Sequence, residues 1–168
     1  MKPYIIIYGG SGYKQGKTWD IVVQAQQYLK ADLVDVSDYD ISFFDYSHHN
    51  QDDDFKTIAA QMLQANTIMF ATPVYWYAMS AQLKVFFDRL SDLITIRKPW
   101  GRQLQDKAMT FMATGYESQL PEGFDVPFRR TADYFHMQFK DPLYVCTNTK
   151  FYRLEIGQEK LKEFLARI

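Results

Sequence analysis

Two kinds of apolar pattern alternate along this chain. Tyr4-Ile5-Ile6-Ile7-Tyr8, Thr67-Ile68-Met69-Phe70-Ala71 and Ala108-Met109-Thr110-Phe111-Met112-Ala113 are short, nearly continuous apolar runs bounded by Gly, Thr or Pro. Runs of that length and uniformity predict strands buried on both faces, as in a parallel sheet covered by helices. Between them apolar residues recur at helical spacing. Ile21, Val22, Ala25 and Leu29 mark a helix over about Thr18–Lys30, and Phe55, Ile58, Ala59 and Met62 mark one over about Asp53–Gln64. Ser80 is a natural N-cap for a helix carrying Leu83, Phe86, Phe87, Leu90 and Ile94. Asp125 and Pro127 open a further helix predicted to run from Val126 to Phe139, with Asp125 as cap and the proline in its first turn. Asp32–Val36 and Leu143–Cys146 supply two more strands, and a polar-faced helix over Gly157–Ile168 ends the chain. Residues 37–54, rich in Ser, Asp and His with Phe43-Phe44 among them, read as an ordered surface excursion.

Five alternations of strand and helix predict an open α/β parallel sheet with right-handed crossovers. Five strands favour the flavodoxin-like doubly wound order 2-1-3-4-5, with helices on both faces, over the six-stranded dinucleotide fold. Either order places a ligand beyond the carboxyl ends of the strands, so the loops after strands one, three and four are where chemistry is expected. A chain of 168 residues without internal repeats fits one domain spanning 1–168.

Composition narrows the function classes. Lys plus Arg (19) nearly balances Asp plus Glu (20), leaving a net charge of −1 and no field that would hold nucleic acid or an anionic membrane. The single cysteine, Cys146, excludes an internal disulfide framework and a zinc site built mainly of thiolates. Thr67–Met79, the longest mostly apolar stretch, is interrupted by Pro73 and is too short to cross a bilayer. Met1-Lys2-Pro3 leads straight into a five-residue apolar run too short for a secretory core, so a cytoplasmic protein is expected. Twelve Tyr, thirteen Phe and three Trp exceed what a core of this size requires, which predicts aromatic rings at a binding surface.

The first loop reads Gly9-Gly10-Ser11-Gly12-Tyr13-Lys14-Gln15-Gly16-Lys17-Thr18. A buried strand entering a helix through such a turn offers free backbone N–H groups and the positive end of the helix dipole to a phosphate. Ser11, Thr18 and a lysine, Lys14 or Lys17, would add to it. A nucleotide P-loop is matched at Gly16-Lys17-Thr18, but Ser11 stands at its first glycine and strand three ends in Thr72-Pro73 with no acid for Mg²⁺. The dinucleotide fingerprint lacks its third glycine, where Gln15 stands, although Asp35 could meet a ribose. The second loop, Thr72-Pro73-Val74-Tyr75-Trp76-Tyr77-Ala78-Met79, places three consecutive aromatic rings at a strand end, suited either to a planar ligand or to a subunit partner. In the third loop, Thr114-Gly115-Tyr116-Glu117-Ser118, Gly115 permits close backbone approach to a ring edge.

With these residues in view the sequence resembles the NAD(P)H-dependent FMN reductase group of the flavodoxin-like superfamily. Gly10–Thr18 aligns without a gap to that group's phosphate loop, approximately Gly-Ser-Pro-Arg-Lys-x-Gly-x-Thr. Thr72–Arg89 matches its longer signature, Ser/Thr-Pro-Val-Tyr-Trp-x-x-x-Ser-Ala-x-Leu-Lys-x-Phe-x-Asp-Arg, nearly throughout. The resemblance implies that Ser11, Gly16, Lys17 and Thr18 hold the FMN phosphate, with Tyr13 in the same loop where Gly12-Tyr13 replaces the usual Pro-Arg. It implies that Pro73, Val74, Tyr75, Trp76 and Tyr77 hold the isoalloxazine ring, and Thr114, Gly115 and Tyr116 its pyrimidine edge. The implied reaction is hydride transfer from NADH or NADPH to FMN, then to a quinone, nitro- or azo-compound or free flavin, by a homodimer. A flavodoxin-type electron carrier and a nucleotide-binding protein without flavin are the alternatives.

Other residues take plainer readings. Adjacent His48-His49 point apart in an extended segment and the Asp52–Asp54 run suits a helix start, so no metal is expected. His136 is read as a packed core or interface residue, Cys146 as an inert residue of a buried strand, and Arg129-Arg130 as a solvated pair.

Overall fold

The computed structural model describes residues 3–148 and 154–168; Met1 and Lys2, read above as the lead-in to the first strand, lie outside it. Strands β1 (Tyr4–Tyr8), β2 (Asp32–Asp35), β3 (Thr67–Pro73) and β4 (Ala108–Gly115) pair in the parallel order β2-β1-β3-β4. Connecting helices are α1 (Lys17–Leu29), α2 (Phe55–Gln64), α3 (Ala81–Arg89), the short α4 (Lys98–Arg102) and α5 (Val126–Tyr134). Beyond β4 lie β5 (Gln138–Phe139) and β6 (Leu143–Cys146), and α6 (Leu154–Arg167) follows.

Strand alternation divides the core in two. Ile5, Ile7, Ile68, Phe70, Met109, Phe111 and Ala113 face α2, α3 and α5, whereas Ile6, Tyr8, Met69, Ala71 and Met112 face α1 and α6. Both faces are covered, which is why the strands read as continuous apolar runs. On the first face a phenylalanine cluster fills the layer: Phe111 stacks on Phe128 at 4.3 Å between centroids, and Phe87 meets Phe128 edge-on at 5.2 Å. Burial of these side chains is the largest favourable contribution to this fold, each worth about 1.5–3 kcal/mol.

The expected order 2-1-3-4-5 is the one observed, but its fifth strand is split. Ala108 and Met109 pair with Gln138 and Phe139, whereas Met112–Gly115 pair with Leu143–Cys146, so Lys140-Asp141-Pro142 holds one residue more than the facing stretch of β4. That extra residue, beside a proline with no N–H to donate, bulges the edge and breaks the ladder. The predicted helix Val126–Phe139 is correspondingly too long. It ends at Tyr134, and His136 takes a left-handed conformation (φ 55°) that lets the chain turn back into β5. His136 is exposed rather than packed. Pro127 does lie in the first turn of α5, while Asp125 occupies the N-cap position without a side-chain cap bond and instead accepts from Arg129 Nε at 3.3 Å. The helix expected to reach Ile94 is α-helical only to Arg89, then tightens into a 3-10 turn over Leu90–Leu93.

Residues 37–54 are ordered around a buried cation. Arg89, 1% exposed, pairs with Asp53 and with Asp92 (3.0 Å) and donates to the carbonyl oxygen of Ser42 at 3.1 Å. The Asp53 carboxyl is held below its ordinary range despite a burial effect in the opposite direction, because Arg89 and the backbone N–H groups of Ser42 and Phe55 stabilise the anion. His48 Nδ1 lies 3.4 Å from Asp92 Oδ1, and His49 Nδ1 lies 3.0 Å from Asp45 Oδ2. The two histidines thus face different carboxylates. Arg130 is exposed and 3.9 Å from Asp133, and Arg129 is half-buried beside Asp125.

Candidate functional site

The parallel order brings the loops after β1, β3 and β4 to one edge, and hydrogen bonds tie them together. Gly9 N–H donates to the Ala71 carbonyl (2.8 Å), and Ser80 Oγ donates to the Gly9 carbonyl (2.6 Å). Ser80 also accepts from Leu83 N–H, so it caps α3 as expected while clamping the first loop. Val74 N–H donates to the Thr114 carbonyl at 2.7 Å, and the hydroxyls of Thr18 and Thr114 share a hydrogen bond of 2.6 Å. All three loops therefore meet through named bonds.

Gly16 is the N-cap of α1 and offers no side chain to its first turn. The positive end of this 13-residue helix thus carries no side-chain cap bond, an arrangement that suits a phosphate. Ser11, Tyr13 and Lys17 are exposed around this turn, and Gly16 is half-buried. Tyr13 donates to Gln15 Oε1 at 3.3 Å. Thr18 is buried, and since its hydroxyl pairs with that of Thr114, one of the two hydroxyl hydrogens is still free to reach an anion. Lys14 points elsewhere, to Asp38 (2.6 Å) and Asp35 (3.5 Å). Its ammonium is stabilised chiefly by the Asp38 hydrogen bond, which raises its pKa. Asp35 is buried and its Oδ2 has no hydrogen-bond partner, with the Lys14 ammonium 3.5 Å away as its nearby counter-charge.

The second loop is strained in a specific way. Trp76 and Tyr77 both occupy the left-handed region (φ 48° and 65°), and Tyr75 and Ala78 exchange two backbone hydrogen bonds across them. This is a type I′ turn, a conformation that favours Asn-Gly and resists aromatic residues. Its effect is to hold the Trp76 ring out of the core, 94% exposed, with Tyr77 and Tyr75 also open. Beside it a cavity of about 250 Å³ is lined by Val74, Trp76 and Tyr77 from the second loop and Tyr116 and Glu117 from the third. Pro73 leads into it at the end of β3, where it faces Thr114.

Pro121 and Tyr144 complete the cavity, and neither was anticipated from the sequence. Tyr144 sits on β6, the strand whose carboxyl end was not counted among the candidate loops. Its hydroxyl donates to the Glu117 carbonyl at 2.8 Å, and burial foremost pushes its pKa up to about 12. A Cβ on Gly115 would come within 2.7 Å of that hydroxyl and 3.1 Å of Val74 Cβ, so a larger residue would push the Tyr144 side chain and the second loop outward. Cys146 is likewise at this edge rather than sealed in the core: half-buried, its thiol lies 3.6 Å from the Tyr116 carbonyl.

Comparison with known proteins shows the family. Residues 3–150 match the family model described as NADPH-dependent FMN reductase. The chain belongs to that family. It is an FMN-dependent NAD(P)H oxidoreductase with a flavodoxin-like fold. Among curated proteins it is 28% identical over 148 residues, 81% of each chain, to YwqN of Bacillus subtilis (strain 168), named as an NAD(P)H-dependent FMN-containing oxidoreductase. Among solved structures it resembles the Trp repressor binding protein from Bacillus subtilis (TM-score 0.72, 23% identity, 94% of this chain and 92% of that one). It also resembles an NADPH-quinone reductase from P. pentosaceus (TM-score 0.69, 16% identity, 96% and 95%). No helix among the described residues is long and apolar enough to cross a membrane.

Proposed function

We propose that the FMN phosphate is held at the start of α1 by Ser11, Gly16, Lys17 and Thr18, with Tyr13 beside it. On the same reading the flat tricycle lies against Pro73, Val74, Tyr75, Trp76 and Tyr77, and its pyrimidine edge meets Thr114, Gly115 and Tyr116. The observation that carries this is the strained Trp76-Tyr77 turn, next to an aromatic cavity and bonded through Thr114 to the uncapped start of α1. Strain of this kind persists where the surrounding structure imposes it for a purpose.

Bound flavin supplies the hydride and electron chemistry; the protein supplies position and electrostatics. The positive end of the α1 dipole, one threonine hydroxyl and the Lys17 ammonium stabilise the phosphate, while Lys14 screens Asp35. Trp76 and Tyr77 exclude water from one side of the cavity, and stacking on such rings is worth about 0.5–1.5 kcal/mol per pair beyond area burial. The open mouth between the second and third loops receives the nicotinamide and then a flat acceptor such as a quinone, a nitro- or azo-compound or free flavin. The acceptor class draws support from the fold shared with the NADPH-quinone reductase. We further infer a single cytoplasmic domain over 1–168 that acts as a homodimer on small molecules and binds neither nucleic acid nor membrane.

The test compares two ligands that differ by one group. Ser11→Ala with Thr18→Ala should weaken FMN binding by at least about tenfold, the lower bound expected for one lost hydrogen bond to a charged group, and leave riboflavin nearly unaffected. Equal losses for both ligands, read by quenching of flavin fluorescence, would remove the phosphate assignment.

A further inference from the structure

At the opposite end of the sheet, where Gln105-Asp106-Lys107 leads into β4, a second cavity of about 220 Å³ opens between α4 and the end of α5. Its walls are apolar: Leu93, Ile94, Tyr134 and Phe135. Lys98, Arg102 and His136 line it as well, and no carboxylate does. Lys98 and Arg102 are four residues apart on α4 and so project from the same side of that helix.

Two features of this cavity are unfavourable as they stand. Like charges at that spacing repel, and among the described residues neither Lys98 nor Arg102 has an acidic partner, although the neighbouring cations do. Lys84 pairs with Asp88 and Arg130 with Asp133, and Asp106 takes a hydrogen bond from Gln105 instead. The apolar wall is also left open, with Tyr134 63% and Ile94 36% exposed. The backbone holds this shape firmly. Asp106 and His136 both adopt left-handed conformations and are joined by a 3.0 Å bond from Asp106 N–H to the His136 carbonyl. A side chain at Gly101 would run into the Leu93 carbonyl, so α4 packs tightly beneath the cavity.

One class of ligand relieves both features. We infer that this cavity binds a small aromatic anion, a carboxylate or sulfonate on one or two rings, with the ring against Ile94, Tyr134 and Phe135 and the anionic group between Lys98 and Arg102. Its volume is below that of pockets for drug-sized ligands, and the planar guanidinium of Arg102 suits a carboxylate or sulfonate. The cavity belongs to the amino-terminal side of the sheet, away from the loops that hold the flavin. It is therefore a second site, and its occupant is neither cofactor nor electron acceptor.

Calorimetric titration with 2-naphthoate and its neutral analogue 2-naphthamide tests this, each with and without saturating FMN. Naphthoate should bind at least about tenfold more tightly than the amide, as expected for a charge-assisted contact, and FMN should not displace it. Lys98→Ala with Arg102→Ala should erase the preference for the anion, while thermal melting and FMN affinity stay as in the parent protein. Ile94→Ser should weaken both ligands. Displacement by FMN, equal affinity for acid and amide, no binding of either, or an anion preference that survives the double substitution would each overturn the inference.

Discussion

Phe55, Phe70, Phe86, Phe111 and Phe128 are closed off from solvent on one face of the sheet, whereas Tyr13, Trp76, Tyr77 and Tyr116 stand open at its carboxyl edge. Both groups contribute to the same high aromatic content, and the difference between them is chemical. Phenylalanine has no polar atom to satisfy and can be buried without a partner, so it fills the layer beneath α2, α3 and α5. Tyrosine and tryptophan carry a hydroxyl or an indole N–H and do better with one end wet. Most of the buried rings are therefore phenylalanines and most of the open ones carry a polar handle, with buried Tyr8 and exposed Phe43 as exceptions.

The sharpest way to break this comparison is to exchange the consequences. Phe128→Ala should lower stability by about 3–5 kcal/mol, the usual effect of emptying a buried aromatic site, because Phe128 packs against Phe70, Phe87, Phe111 and Phe124. Denaturant unfolding measures this, and FMN affinity of the folded fraction should change little. Trp76→Asn with Tyr77→Gly should do the reverse. Residues suited to a type I′ turn should raise stability by about 0.5–1 kcal/mol, while FMN binding falls severalfold as the rings are lost. A variant that is both less stable and unchanged in FMN affinity would place those rings in the structural set.

The smallest effect concerns protons. Tyr8 and Tyr144 both have pKa values pushed up to about 12, by burial first and neighbouring negative groups second. Each keeps its proton in the folded protein at a pH where the unfolded chain, with ordinary values near 10, has begun to lose it. Their contribution is therefore intact below about pH 10 and declines as pH rises toward 12. Ultraviolet absorbance should show the tyrosinate forms of Tyr8 and Tyr144 appearing only near pH 12, and Tyr8→Phe should flatten part of the alkaline loss of stability.

Much of this could be read from residue order alone. Strand and helix types follow from apolar spacing, because burial on both faces leaves a direct signature in which positions are apolar, and the count of five alternations then selected the common 2-1-3-4-5 order with its loops at the carboxyl edge. The cap at Ser80 was equally legible, a hydroxyl residue directly before an apolar helical stripe. Its second bond, to Gly9, was not, since the two residues meet only when β1 and β3 pair. The helix through Phe139 was overextended for a related reason. Helical spacing continues past Tyr134, and what stops it is the tertiary bond between Asp106 and His136 together with the pairing of Gln138 on β4.

What the chain determined by itself, then, is whatever depends on neighbours in sequence: element type, the glycine turn at the start of α1, and three rings on one loop. Only the folded structure decided which groups meet across the sheet. It joined Thr18 to Thr114, turned Lys14 toward Asp35 and Asp38, brought Tyr144 into the aromatic cavity, and set Lys98 and Arg102 beside an apolar wall. Local pattern records how a residue suits its own strand or helix, whereas long-range contact depends on strand order and register, which no short window of sequence contains.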